Sequence, residues 1–169
     1  MLLAIDAYYK ETKAQVVGVL FNWEDENPKN ILVETVERVE EYIPGEFYKR
    51  ELPCLLKIVE KVNLSDLEAI IVDGHVYVEN EKYGLGGRLY EHLNCQVPVI
   101  GIAKSSFYAN KDMTIEIYRG KSKTPLYISS IGTDLNDVAE KIINMKGEYR
   151  MPTILKTLDN LTKESKCEV

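Results

Sequence analysis

Apolar and polar positions alternate through the first fifth of the chain. LLAIDAYY reads as a strand almost from residue 1, KETKA as a turn, AQVVGVLFNW as a second strand and ENPKN as a second turn. ILVETVERV sets Ile31, Val33 and Thr35 against Leu32, Glu34 and Val36, which predicts a third strand. Three strands joined by short polar turns make an antiparallel meander. Pro44 and Gly45 then break the pattern. From Glu51 the period lengthens. Leu52, Leu55, Leu56, Val59 and Val62 recur at helical spacing, with Pro53 tolerated in the first turn.

The second half reads as alternating strands and helices. LEAIIVDG is a continuous apolar run ending in a carboxylate, as a buried parallel strand would be. GLGGRLYEHLN predicts a helix, QVPVIGIAK a second buried strand, and MTIEIYRGKSKTPLYISS a hairpin turning around Arg119 to Thr124. TDLNDVAEKIINMK predicts a helix with Thr133 as N-cap, and MPTILKTLDNLTK a last helix. The order β-β-β-α-β-α-β, then a hairpin and two helices, implies one mixed α/β sheet with helices on both faces. No repeat, low-complexity stretch or linker divides the chain. The expectation is a single domain over 1–162 with a frayed tail over 163–169.

Composition narrows the function classes. With 169 residues, 45% hydrophobic and 28% charged, the chain has the ordinary globular mixture and excludes a disordered or fibrous protein. No apolar run approaches the ~20 residues of a membrane span, and MLLAIDAYYK lacks the pattern of a secretory leader. Cys54, Cys95 and Cys167 are an odd set without CxxC spacing. That excludes a disulfide framework or zinc ribbon and fits a cytoplasmic location. The net charge of −6 argues against gripping nucleic acid by bulk electrostatics, but the charge is uneven. Residues 101–123 hold Lys104, Lys111, Arg119, Lys121 and Lys123 against only Asp112 and Glu116.

Four charged groups stand where core packing does not need them. Asp6 interrupts an apolar strand, Glu51 opens a helix, and Asp73 and Lys104 end consecutive buried strands. Taken singly, an Asp after a strand is commonly a turn residue and a Glu in a first helical turn commonly serves the helix dipole. Taken together on one rim of an open sheet, they are where sites form. Clustered acids repel unless a cation relieves them, and Mg²⁺ or Mn²⁺ prefers such oxygen-only sites. That chemistry suits phosphodiester hydrolysis. An Asp in the first strand, a Glu in the first helix and an Asp after the fourth strand match the ribonuclease H-like arrangement of metal-dependent nucleases.

Several segments carry a closer likeness. Tyr42-Ile43-Pro44-Gly45 followed by Arg50-Glu51-Leu52-Pro53, then Val72-Asp73-Gly74-His75, then Gly101-Ile102-Ala103-Lys104, resemble the endonuclease V family over most of residues 2–160. The resemblance implies an Mg²⁺-dependent endonuclease, with Mn²⁺ as substitute. Such an enzyme cuts the second phosphodiester 3′ to inosine or deoxyinosine in RNA or DNA. Carried over by position, Asp6, Glu51 and Asp73 would be the metal carboxylates, and Lys104 would contact the scissile phosphate or stabilise the leaving group. Tyr42, with Ile43 and Pro44, would be the wedge that props the space left by the displaced base. Gly45, Gly74, His75, Gly84 and Leu85 would belong to the substrate pocket. Such a protein would act as a monomer on nucleic acid and have no membrane partner.

The departures matter as much. The family's Gly-His-Gly-x-Ala-His-Pro-Arg stretch is here Gly74-His75-Val76-Tyr77-Val78-Glu79-Asn80-Glu81, which puts lesion specificity in question. The final-helix histidine of the family aligns with Asp159, either a fourth catalytic acid or a helix-surface acid. Trp23 is either a base-stacking ring or strand-end packing; Cys54 and His92 read as structural. The alternative function is a nucleic-acid-binding pseudo-enzyme, or a nuclease with altered lesion preference.

Overall fold

In a computed structural model, described here for residues 1–39, 41, 43–44, 48–79 and 81–164, the predicted alternation becomes a seven-stranded sheet. The meander is β1 (Leu2–Lys10), β2 (Lys13–Phe21) and β3 (Asn30–Val36). Helix α1 (Tyr48–Val59) leads to β4 (Ala69–Asp73), then a small separate hairpin of β5 (Tyr77–Glu79) and β6 (Lys82–Tyr83). Next come α2 (Leu85–His92), β7 (Val99–Ala103), β8 (Ile115–Ile117), β9 (Leu126–Ile131), α3 (Leu135–Ile143) and α4 (Thr153–Lys163). The strand order is β3-β2-β1-β4-β7-β9-β8. Strands β1, β4 and β7 run parallel at the centre, and the flanking pairs are antiparallel. Among the described residues no helix is long and apolar enough to cross a membrane.

The side-chain period of two sorts each central strand between two cores. Leu2, Ala4, Ile71, Ile100 and Ile102 pack with Ile142 of α3 and with Ile154, Leu155 and Leu158 of α4. Leu3, Ile5, Ile70, Val72 and Val99 pack with Ile58 of α1 and Leu89 of α2. Both faces are therefore dry, which is why these strands read as unbroken apolar runs.

The structure departs from the sequence pattern at four places. Helix α1 begins at Tyr48 rather than Glu51, so Pro53 falls in the second turn and its missing N–H removes one helical bond. The N-cap of α3 is Asp134, not Thr133; its Oδ1 accepts from the Asp137 N–H at 3.0 Å. The β5–β6 hairpin follows from no turn motif in the sequence; Glu81 turns it at φ 63°. Helix α4 continues to Lys163, one residue into the expected tail; 165–169 lie outside the described residues.

Candidate active site

Alternation along the strands assembles the site. Asp6 continues the row of Leu2 and Ala4, Asp73 the row of Ala69 and Ile71, and Lys104 the row of Ile100 and Ile102. All three side chains thus belong to the face covered by α4. Strands β1 and β4 are paired in parallel, with Ile5 opposite Val72; the next step sets Asp6 opposite Asp73, about 4.8 Å away across the sheet. Asp73 is paired with Ile102, so Lys104 stands two residues further along the neighbouring strand. Asp6, Asp73, Lys104 and Asp159 of α4 line one pocket, with Met151 and Leu158 forming its apolar wall.

Glu51 approaches from the other face, on α1. Asp6 and Asp73 also line a second pocket with Glu51, Tyr9, Leu55 and Leu85. The carboxylates of Asp6 and Asp73 are thereby shared between the faces. Arg50 beside Glu51 stacks its guanidinium over the Tyr9 ring, 3.7 Å from the centroid.

The charges act on one another. Burial pushes Asp6 up to about 7, with Asp73 and Asp159 adding repulsion and the Ala7 N–H and Lys104 opposing it. The Ala7 N–H donates to Asp6 Oδ1 at 2.8 Å. Burial also pushes Glu51 up to about 7, aided by Asp73 and Asp6 and opposed by Arg50. Asp73 is likewise raised by burial; Lys104 and Lys163 pull it down and Asp159 pushes it up. Asp159 itself has a side chain only 21% exposed, and it pairs with Lys163 at 3.1 Å and Lys156 at 3.8 Å. Its place facing Asp6 and Asp73 sets it apart from a solvated helix-surface acid.

The donor set is hard oxygen, and its mutual repulsion is what a divalent cation relieves. Among the described residues, no three of these side chains close as a ready-made cage. That is compatible with Mg²⁺, which retains several waters and takes few protein ligands.

The glycine and histidine candidates support the rim. Gly74 N–H donates to Ile102 O at 3.0 Å with φ at 146°. A Cβ on Gly101 would lie 2.5 Å from Gly74 O, so glycine there lets the loop after Asp73 cross β7. Val76 N–H in that loop donates to Ser129 Oγ at 3.0 Å. His75 is buried; its Nε2 lies 2.8 Å from Ser105 O, tying the Asp73 loop to the Lys104 loop. Burial lowers its pKa, and the hydrogen bond to the Ser105 carbonyl opposes that shift. Gly84 caps α2 beneath His75 O, and Leu85 is core beside Glu51. Ile43 and Pro44 are exposed, while Tyr42 and Gly45 lie outside the described residues.

Other candidates fall away from the rim. Trp23 follows β2, whose Phe21 is paired with Leu2, so it sits at the opposite end of the sheet from Asp6. Its Nε1 donates to Glu68 at 3.1 Å, and Lys141 covers the ring. His92 is exposed in the last turn of α2, and Cys54 is buried.

Two arginines were not singled out by the sequence. Buried Arg119 donates to Tyr149 O and Met145 O, both at 2.6 Å, and holds the α3–α4 connection. Arg150 donates to Lys104 O at 2.6 Å and to Pro125 O, bracing the rim. No sequence pattern marks them, because their partners are backbone carbonyls distant in sequence. Lys156 and Lys163 had a signal, since they stand three and four residues from Asp159 on one helix face.

Known proteins share this frame. The family model for Endonuclease V matches residues 1–149. An Endonuclease V from Sulfolobus acidocaldarius is 30% identical over 175 residues, covering 98% of this chain and 82% of the relative. The crystal structure of human ENDOV superposes with a TM-score of 0.77 at 16% identity, covering 96% of this chain and 82% of that one. Endonuclease V from Ciona intestinalis, solved with a 24mer DNA containing an inosine followed by a ribo-adenosine, gives a TM-score of 0.78 at 15% identity, covering 96% and 84%. The family model spans most of the chain and the relative spans nearly all of it, so this protein is an endonuclease belonging to the endonuclease V family.

Proposed function

We propose that this endonuclease hydrolyses a phosphodiester bond 3′ to a deaminated purine, inosine or deoxyinosine, in a divalent-metal-dependent reaction. The observation that carries it is the alignment of Asp6, Asp73 and Lys104 on one face of three adjacent parallel strands, just past where their parallel pairing ends, met by Glu51 and Asp159. Asp6, Glu51 and Asp73 would hold Mg²⁺ or Mn²⁺. When bound, such an ion supplies Lewis acidity toward the phosphate and a hydroxide-like water. The chain's own groups do the rest. Lys104 binds the phosphate oxygens and compensates charge developing on the leaving 3′-oxygen. Asp159, in the family's histidine position, accepts a proton from the attacking water or adds a ligand, and Lys156 and Lys163 pair with its carboxylate. The apolar wall of Met151, Leu155 and Leu158 limits water on that side.

The Tyr42–Gly45 segment would prop the gap left by the displaced base, since flipping costs a few kcal/mol and stacking repays part. Nucleic acid is then the partner, the protein acts as a monomer, and its free cysteines suit the cytoplasm. The domain would span 1–162.

A second reading rests on the β5–β6 hairpin. It replaces the family's Ala-His-Pro-Arg stretch and carries Glu79 and Glu81, which repel phosphate. That favours altered lesion preference over the family's usual one. The test is cleavage of single-inosine oligonucleotides, in DNA and RNA, with Mg²⁺ or Mn²⁺, beside Asp73→Asn and undamaged controls. A cut one nucleotide 3′ of the lesion, lost in the variant, supports the first reading. Cutting without lesion preference supports the second, and no cutting of any substrate overturns both.

A further inference from the structure

The replaced stretch has a neighbour that the catalytic reading does not use. Between Lys104 and β8 the chain forms a short 3-10 helix over Tyr108–Met113. It is pinned from both sides. Asn110, fully buried, donates through Nδ2 to Tyr77 O of the β5–β6 hairpin at 2.6 Å. Phe107, just before the helix, rests against the His75 ring with centroids 5.0 Å apart. His75 in turn meets Ser105 O, next to Lys104. On this fixed support Tyr108 projects 84% exposed, and Lys111 Nζ lies 4.6 Å from its ring centroid.

A tyrosine so exposed adds nothing to the core, and its ring, held on an anchored turn, is available to stack on a ligand. The ammonium covers one face of the ring and leaves the other open. The segment is also net basic in an acidic chain, with Lys104 and Lys111 close by and Lys121 and Lys123 following β8, against Asp112 and Glu116. An aromatic face beside phosphate-binding lysines is the pairing that holds single-stranded nucleic acid, by stacking on one group and charge on the other. We propose that Tyr108, with Lys111, is a stacking platform for an unpaired base of the strand whose phosphate enters the carboxylate pocket. The inference rests on the endonuclease reading above.

Geometry limits which base this is. Tyr108 is four residues from Lys104, so their Cα atoms are at most about 14 Å apart. A strand advances about 3.4 Å per nucleotide when stacked and more when extended. With the reach of both side chains added, the stacked base lies within several nucleotides of the bond that Lys104 contacts. A fully paired duplex hides its base faces, so the platform distinguishes unpaired from paired flanks.

The test is fluorescence anisotropy in EDTA, which prevents cutting, with a single-stranded oligonucleotide and the matching blunt duplex. Tyr108→Ala is expected to weaken single-strand binding about tenfold, to leave duplex binding within about twofold, and to be rescued by Tyr108→Trp. Lys111→Ala should lower the salt dependence by about one phosphate contact. A 2-aminopurine walked along the strand should be quenched at one position near the cleavage site, and Tyr108→Ala should remove that quenching. An abasic residue at that position should cost as much as Tyr108→Ala, with the two losses not additive. Unchanged melting temperatures of the exposed-site variants establish that their fold is intact. Wild-type-like single-strand affinity in Tyr108→Ala, or an equal loss on duplex, overturns the platform alone. If the wild-type protein neither binds nor cuts any nucleic acid, the endonuclease reading falls and the platform with it.

Discussion

Asp6 and Glu51 carry the most diagnostic behaviour at the scale of single residues. Their ordinary values of 3.8 and 4.5 rise to about 7 in the fold. Between about pH 4 and pH 7 the unfolded chain has released these protons while the folded chain keeps them. Stability contributed by the neutral acids is therefore present at low pH and is lost as pH rises through 7. Melting temperature in EDTA should fall over that interval, and saturating Mg²⁺ should flatten the decline. Asp73→Asn removes a charge that raises Glu51 and Asp6, so the EDTA decline should shrink and the Mg²⁺ response should vanish. A pH-independent melting curve in EDTA would contradict this picture of the acids. Lys104→Met should lower kcat about a hundredfold with little change in melting temperature, as loss of a transition-state charge does. Single-turnover rates on an inosine oligonucleotide measure it.

At the scale of elements, the site depends on loops held by backbone contacts. Gly101→Ala would drive a methyl group into Gly74 O and Ser129 Oγ. The loop after Asp73 must then shift, so both activity and melting temperature should drop, with activity hit harder because the displaced loop carries the carboxylate. Arg119→Met removes a buried guanidinium that serves the carbonyls of Met145, Gly147 and Tyr149. A loss of about 3 kcal/mol in urea denaturation is expected, since those carbonyls lose a charged donor. The sequence does place a hairpin around Arg119, but it cannot show that this arginine crosses to the α3–α4 connection. Helix starts are less legible in a sequence than helix bodies. Tyr48, Lys49 and Arg50 show no apolar period of their own, so helical spacing is legible only from Glu51 although α1 begins at Tyr48. Asp134 displaced Thr133 as cap because only its carboxylate is placed to meet the Asp137 N–H.

For the whole molecule, a cation bound only by the folded state adds stability by mass action. At a hundred times its dissociation constant, Mg²⁺ should add about 2.7 kcal/mol, or roughly 5–11 °C in melting temperature for a chain of this size. Scanning calorimetry across a Mg²⁺ titration checks it, and a metal-insensitive transition would weigh for a binding-only role.

The sequence by itself determined the order of the seven sheet strands and four helices, and the candidate carboxylates and lysine. Apolar runs can be buried on both faces only as central parallel strands, and a charge ending such a run has no place except the rim. Resemblance at the Asp73 and Lys104 segments then pointed to the family. Tertiary structure alone decided which of these groups meet. Alternation along β1, β4 and β7 puts Asp6, Asp73 and Lys104 on one face, but only their strand neighbourhood and parallel register bring them side by side. Packing of α4 on that face turns Asp159 inward, a choice that helical spacing leaves open. The antiparallel return of β2 sends Trp23 to the far end of the sheet. Arg119 and Arg150 became visible only with the fold, because their partners are carbonyls, which every residue carries and no sequence distinguishes.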